Sequence, residues 1–476
     1  MPIKKYIANK DTTITDAYKE NLITRATDAN IGAADSLEMY AIYAQANSSS
    51  LERSRILVQF PIQDIVTDRT NSKLPASGSV KFYLRMFNVE HPFSLPRDYT
   101  ASVSVVSQSW DEGYGIDLDN YSDYGWVSGS SKGSGCTWTY RESGSLWAPA
   151  GGSTLTQSEY NLSYPFSNGL EDIELDITQI VEDWATGSIE NNGFLIKLSG
   201  SFEDASMARS FYTKRFSARS SEYFYRRPAI EARWASIIND DRSNFFASSS
   251  MVSDDDNKMN IYFYNKVRGA LKNIVGNVVP DIKFYTDSSY TNEISSSYKV
   301  VTNPSTGVYK ATVAVDTTAS VIYDKWYNTS TSASYFSSSI EMNLFAGYDV
   351  SSGGEYVVNI TNLRPKYLTN ETARFKIYCR EKDWSPTLYS VAYNQVENTI
   401  LNNLYYKTFR LNDNYTIIDY STGSLAYSKT SYDVDGNYFD LDMSLLEKDY
   451  GYGIKLAIYE NNELKELPPV FKFRVE

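Results

Sequence analysis

Histidine is nearly absent from this sequence: one residue, His91, in 476. Ser-His-Asp and Cys-His catalysis, and any multi-histidine metal site, would have to run through it. It precedes Pro92 in a polar stretch and reads as an ordinary loop histidine. Cysteine is scarce too. Cys136 and Cys379 lie too far apart for a zinc motif and are too few for a disulfide scaffold, so both are expected reduced and partly buried. Basic residues are outnumbered, 45 against 58 acids, and 45 − 58 gives the net charge of −13. Coating nucleic acid needs clustered Lys and Arg, so that role is disfavoured. No apolar run reaches the roughly 20 residues a membrane-crossing helix needs. The opening Met1-Pro-Ile-Lys-Lys-Tyr6 has no apolar stretch behind it. The expectation is therefore synthesis in a cytoplasm with neither signal peptide nor membrane contact.

Aromatic residues, by contrast, are abundant, with 40 tyrosines among them. So much amphipathic surface argues against a disordered chain. The length points to about three domains. Segments such as Arg55-Ile-Leu-Val-Gln-Phe60, Val80 to Phe87, Tyr309 to Val315 and Val470 to Val475 are rich in branched and aromatic residues with partial period-two alternation. Gly, Asn, Asp and Ser clusters separate them, as short-strand sandwiches require. One helix stands out: Asp176 to Trp184 puts Ile177, Ile180, Val181 and Trp184 on one face. Asp176 and Gln179 read as a capping box, and Gly187 as the stop. The expected fold is all-β: tandem β-sandwich domains, jelly-roll or Ig-like, with one short helix in the first. The composition places a sandwich at 1–236, a linker or long connection at 237–258, a second sandwich at 259–350 and an Ig-like third at 351–476.

A series of short segments in the first half resembles the DNRLRE family of β-sandwich domains. Asp11-Thr-Thr-Ile14 opens the series. Asn30-Ile-Gly32, the strand Arg55 to Phe60, Trp110-Asp-Glu112, Cys136-Thr-Trp138, the helix to Trp184 with Asn192-Gly-Phe194, and Arg227-Pro228 follow in order. The long insertion from Gly113 to Gly135 departs from that pattern. The second half, through Ala373 to Ile377, Asp383-Trp-Ser-Pro386 and Ser431 to Met443, resembles virion structural proteins of T4-like marine phages. Domains like the first half usually belong to exported proteins, yet no export signal is visible. A phage particle assembled in the cytoplasm and released by lysis reconciles the two.

Few segments carry the pattern of a chemical site. Asp117, Asp119 and Asp123 lie close enough to ligate calcium, though a solvated acidic loop has the same pattern. Asp433 to Asp442 looks like a calcium loop, but its sixth position is Tyr438 and its twelfth Ser444, so the EF-hand pattern fails. Asp435-Gly436 reads instead as a hairpin turn. Asp254-Asp-Asp256 reads as a linker charge run. Trp126, Trp138 and Trp147 lie in or just after the insertion, and Tyr223 and Tyr225 sit beside Arg226 and Arg227. These rings are candidates for stacking on a sugar or anchoring a subunit, or for packing inside their own domain. No pair of carboxylates is singled out for sugar hydrolysis.

The expectation is a virion structural protein, an accessory of neck, collar, tail or fibre. It would make and break no bonds, require no cofactor, and assemble with other virion proteins as a homo-oligomer of closed symmetry. The alternative is a glycan-binding adhesin or carbohydrate-binding module on the host surface.

Overall fold

The computed structural model describes residues 2–90, 96–116, 135–204, 210–343, 355–382 and 398–476. The chain is all-β and divides into two compact units, Ile3–Arg233 and Trp234–Glu476 with Met1–Pro2.

The first unit contains β1 (Ile3–Ile7), β2 (Lys10–Thr15), β3 (Ser36–Tyr43), β4 (Leu51–Gln59), α1 (Ile62–Thr70), β5 (Lys81–Met86) and β6 (Tyr99–Val105). It continues with β7 (Tyr140–Glu142), β8 (Ser145–Leu146), β9 (Asn161–Phe166), β10 (Ile173–Asp176), α2 (Thr178–Thr186), β11 (Phe194–Leu198), β12 (Ser210–Ser217) and β13 (Ala229–Arg233). One sheet runs β1-β13-β5-β10. The other runs β12-β3-β4-β11-β6-β9, with β2 also paired to β4. The alternation read from the sequence decides which side chains enter the core: Phe82, Leu84 and Met86 of β5 are all fully buried, while Lys81 is exposed.

Two helices are present among the described residues, not one. The expected one, α2, buries Ile177, Ile180, Val181 and Trp184, with the Trp184 ring 4.9 Å from that of Phe194. Gly187 ends it in the left-handed conformation, φ 76°. The capping box does not form. Ile177 occupies the cap, so Asp176 accepts from the Thr178 amide at 2.9 Å, and Gln179 donates to Asp183 instead. The other helix, α1, carries a weak apolar stripe, Ile62 and Ile65, beside a buried Asp68. Its Arg69 donates to Glu182 of α2 at 2.7 Å. This pairing across sequence is what the local pattern lacked.

The second unit begins with β14 (Phe245–Phe246), β15 (Met259–Tyr264), β16 (Lys266–Val267), β17 (Ala270–Leu271), β18 (Asp281–Tyr285), β19 (Glu293–Ile294), β20 (Ser296–Ser305), β21 (Val308–Val315), β22 (Val321–Tyr327) and β23 (Ser334–Asn343). The sheets β14-β23-β22-β18-β19 and β15-β21-β20 enclose Ile261, Phe284, Tyr309, Val313, Ile322 and Trp326. The stretch 237–258 is more than a linker. Its Phe245 is fully buried in this core, paired with Met342, and its Arg242 forms two hydrogen bonds with the buried Asp324.

The unit closes with β24 (Tyr356–Ile360), β25 (Lys366–Tyr367), β26 (Thr372–Glu381), β27 (Leu404–Arg410), β28 (Thr416–Ile418), β29 (Ser431–Asp433), β30 (Gly436–Asp442), β31 (Gly451–Glu460) and β32 (Glu463–Val475). The sheets β24-β26-β30-β29 and β25-β32-β31-β27-β28 share a ring-rich core in which Tyr406 stacks on Phe439 at 4.0 Å. The expected hairpin exists, but its two loop residues are Val434 and Asp435, one position earlier than Asp435-Gly436. Gly436, at φ 117°, opens the return strand, where a Cβ would stand 2.1 Å from the Asn398 amide.

Candidate functional site

Four of the segments named for the first half, at Asp11, Asn30, Trp110 and Cys136, are far apart in sequence, and the fold brings them to one node. Asn30 stands at its centre, only 7% exposed. Its amide nitrogen donates to the carbonyls of Glu112 and Cys136, both at 2.8 Å, and its oxygen accepts from Gly115 N at 2.8 Å. One side chain thus grips both stems of the Gly113–Gly135 insertion. Gly115 has to be glycine, because a Cβ there would lie 1.8 Å from the Asn30 carbonyl oxygen.

Beside it, Glu112 accepts from the Asp11 amide at 2.8 Å and from Arg219 Nε at 2.6 Å, while the Arg219 amide donates to Asp11 Oδ2 at 2.6 Å. Asp11 is buried. Burial pushes its carboxyl up to about 7; the Arg219 backbone hydrogen bond opposes this, the Glu112 charge adds to it, and the Arg219 charge opposes it. A carboxyl raised above its unfolded value favours the folded state only while protonated. Stability from this group therefore declines as pH rises from about 4 to 7 and is level above, a total of roughly 4 kcal/mol. Asp11→Asn should flatten that limb and raise the melting temperature at pH 8; equal pH profiles for the variant and the native chain would contradict it.

On the other side of the node lies a ring cluster of Ile14, Leu57, Val106, Trp110, Cys136, Trp138, Trp147 and Leu195. Trp110 Nε1 donates to Asn192 O at 2.8 Å, and Trp147 Nε1 to Thr137 O at 3.0 Å. The Trp138 ring lies 5.1 Å from the Arg53 guanidinium and 4.8 Å from that of Arg55. Arg55 in turn donates to Glu203 and Gly151 O, each at 2.6 Å.

This placement corrects part of the sequence reading. Trp138 and Trp147 are buried core residues, not exposed anchors: the strands β2, β4 and β11 cover them. Tyr225 is buried too, while Tyr223 is 58% exposed with Arg226 over its ring at 5.6 Å. Their segment is a short 3-10 turn, Phe224–Arg226. Pro228 carries no amide for a ladder there. Asp117, Asp119, Asp123, Trp126 and His91 lie outside the described residues. Among the described residues, no group of three or more His, Cys, Asp or Glu side chains is placed to hold a metal ion. The acidic hairpin is neutralised internally: Arg374 forms two hydrogen bonds with Asp440, at 2.8 and 2.9 Å, and Lys376 reaches Asp435 at 3.0 Å. Asp255 pairs with Lys258. Both cysteines are free and buried, and burial pushes the Cys379 thiol up to about 12.

Several apolar and aromatic side chains remain exposed at this end. Tyr114 and Ile116 lie on the first stem of the insertion. Tyr140 and Leu146 are cross-strand partners in β7 and β8, and Tyr223 follows Arg219. The hairpin is held to the stem by Arg141 O accepting from Asp111 N at 3.0 Å. Reading the sequence alone passed over Asp11, Glu112, Asn30 and Arg219 as a unit. Asp11, Asn30 and Glu112 lie in separate segments of the series, and only the fold joins them to one another and to Arg219.

Fold and site together define an all-β sandwich protein with a ring-bearing rim. No family model matches the chain, and no curated protein matches it. Among solved structures, one titled "Anomalous substructure of Titin-A168169" aligns over 50% of this chain and 94% of its own, at 10% identity and a TM-score of 0.15. A likeness that low carries no argument.

Proposed function

We infer that this chain is a structural component of a bacteriophage particle, an accessory of neck, collar, tail or fibre that joins its neighbours through sandwich rims and sheet edges. The observation that carries this reading is the contrast between interior and margin. Inside, charged groups such as Asp16, Glu203 and Asp324 are tied to arginines. At the margins, Tyr114, Tyr140, Leu146 and Tyr223 stay exposed, and β20 ends its sheet with Tyr298 and Val300 outward. Exposed rings anchor protein contacts at low entropic cost, and an open edge strand can extend a neighbour's sheet. The resemblance of the second half to phage virion proteins points the same way.

The test is direct. Particles purified from a lysate of cells expressing the gene should contain the chain at a fixed ratio to the shell subunit, and the isolated chain should run as a discrete oligomer. Particles without it, or a monomer that converts a substrate, would overturn the reading. The glycan-binding alternative draws support from Tyr223 with Arg226 across its ring. It requires host-polysaccharide binding that Tyr223→Ala abolishes while the fold is retained.

A further inference from the structure

One group in the first unit plays no part in the node. Lys214 of β12 is fully buried, 0% exposed. Its ammonium donates to Asn88 Oδ1 at 2.7 Å, to Gly169 O at 2.8 Å and to Glu171 O at 2.7 Å. The rings of Phe166 and Phe216 lie 4.9 and 5.2 Å from it, and Tyr99 stacks on Phe166. The register holds Asn88 in place: it pairs with Phe216, and its amide donates to Asp172 Oδ1 at 2.7 Å. The Glu171 carboxylate adds a nearby negative charge. Glu171 Oε1 accepts from Ser167 N and Asn168 N, while its Oε2 is buried with no hydrogen-bond partner.

We propose that Lys214 and Asn88 form an intramolecular amide crosslink, closed by the folded chain itself. The neutral amine of Lys214 attacks Cγ of Asn88, and a new Nζ–Cγ bond forms. The Cγ–Nδ2 bond then breaks and ammonia leaves. The proton that Nζ gives up in forming the amide passes to the departing nitrogen, which leaves as ammonia. Amine plus carboxamide becomes secondary amide plus ammonia, with no oxidant or reductant.

Two features of the site favour the step. A hydrogen bond from Nζ to Oδ1 brings the nucleophile next to the carbonyl carbon. A dry aromatic surround disfavours the ammonium. Burial accordingly lowers the Lys214 ammonium to about 8, against the raising influence of the Glu171 and Asp172 charges. The product would tie β12 of one sheet to the segment following β5 of the other, closing a loop between positions 126 apart. A covalent tie of that kind suits a part that bears load.

Intact-mass measurement of the full chain, before and after mildly alkaline incubation, tests this. The chain should weigh one ammonia less than its sequence, and a digest should yield one peptide joining Lys214 to Asn88. Asn88→Ala, which leaves Lys214 two carbonyl acceptors, should show the full sequence mass, and Asn88→Asp should lose water instead of ammonia. A native chain that keeps its full mass after incubation would overturn the proposal, as would ammonia loss with no joined peptide.

Discussion

Replacing Asp324 with alanine should cost about 3–5 kcal/mol of unfolding free energy, the usual consequence of stranding one member of a buried ion pair. Asp324 is fully buried at a core-facing position of β22, between Ile322 and Trp326, which are also fully buried. Its two oxygens accept from Arg242 at 2.8 and 2.9 Å, and Oδ2 also accepts from Trp326 Nε1 at 3.0 Å. Alanine removes all three bonds and leaves a guanidinium, 11% exposed, without its counterion. Asp324→Asn should cost less, because it keeps an acceptor for the indole. Urea unfolding followed by tryptophan fluorescence measures both. Asp256→Ala, on an exposed turn, serves as the control and should change little. A loss below 1 kcal/mol for Asp324→Ala would mean that the pair does not hold the second unit together.

Trp138→Ala should be comparably severe in the first unit, again about 3–5 kcal/mol for a large ring removed from a packed core. The ring packs with Trp110, Trp147 and Leu195, and lies against two arginines whose own carboxylate partners, Asp16 and Glu203, are buried. Losing it leaves a cavity and unseats Arg53 and Arg55. Tyr140→Ala and Tyr223→Ala, at exposed rings, should leave stability within about 0.5 kcal/mol. The comparison separates core from contact surface. A Trp138→Ala chain that unfolds normally but loses a ligand would make that ring a binding residue after all.

Much of the fold was legible in short stretches. Helix α2 announced itself through Ile177, Ile180, Val181 and Trp184 and stopped where Gly187 said it would. The runs around Arg55, Phe82 and Val313 became strands; in β5 the alternation sets one face inward, whereas in β4 Ile56, Leu57 and Val58 are all buried. The β29–β30 hairpin was foreseen and misplaced by one residue, because Asp435-Gly436 has the composition of a turn while Gly436 is needed for its close approach to Asn398. Helix α1 was missed, since its stripe is weak and its support comes from Arg69 reaching Glu182, far along the chain.

The sequence by itself determined the class: strand periodicity, scarce histidine and cysteine, and many rings specify sheets with an apolar side and leave few means for histidine or thiol chemistry. Tertiary structure alone decided which rings face water, which acids are neutralised, and that Lys214 meets Asn88. The physical reason is range. Alternation records the local two-residue pleat, whereas burial of Trp138, the grip of Asn30 on both insertion stems and the seating of Arg242 on Asp324 arise from contacts between residues far apart in the chain, which leave no periodic trace.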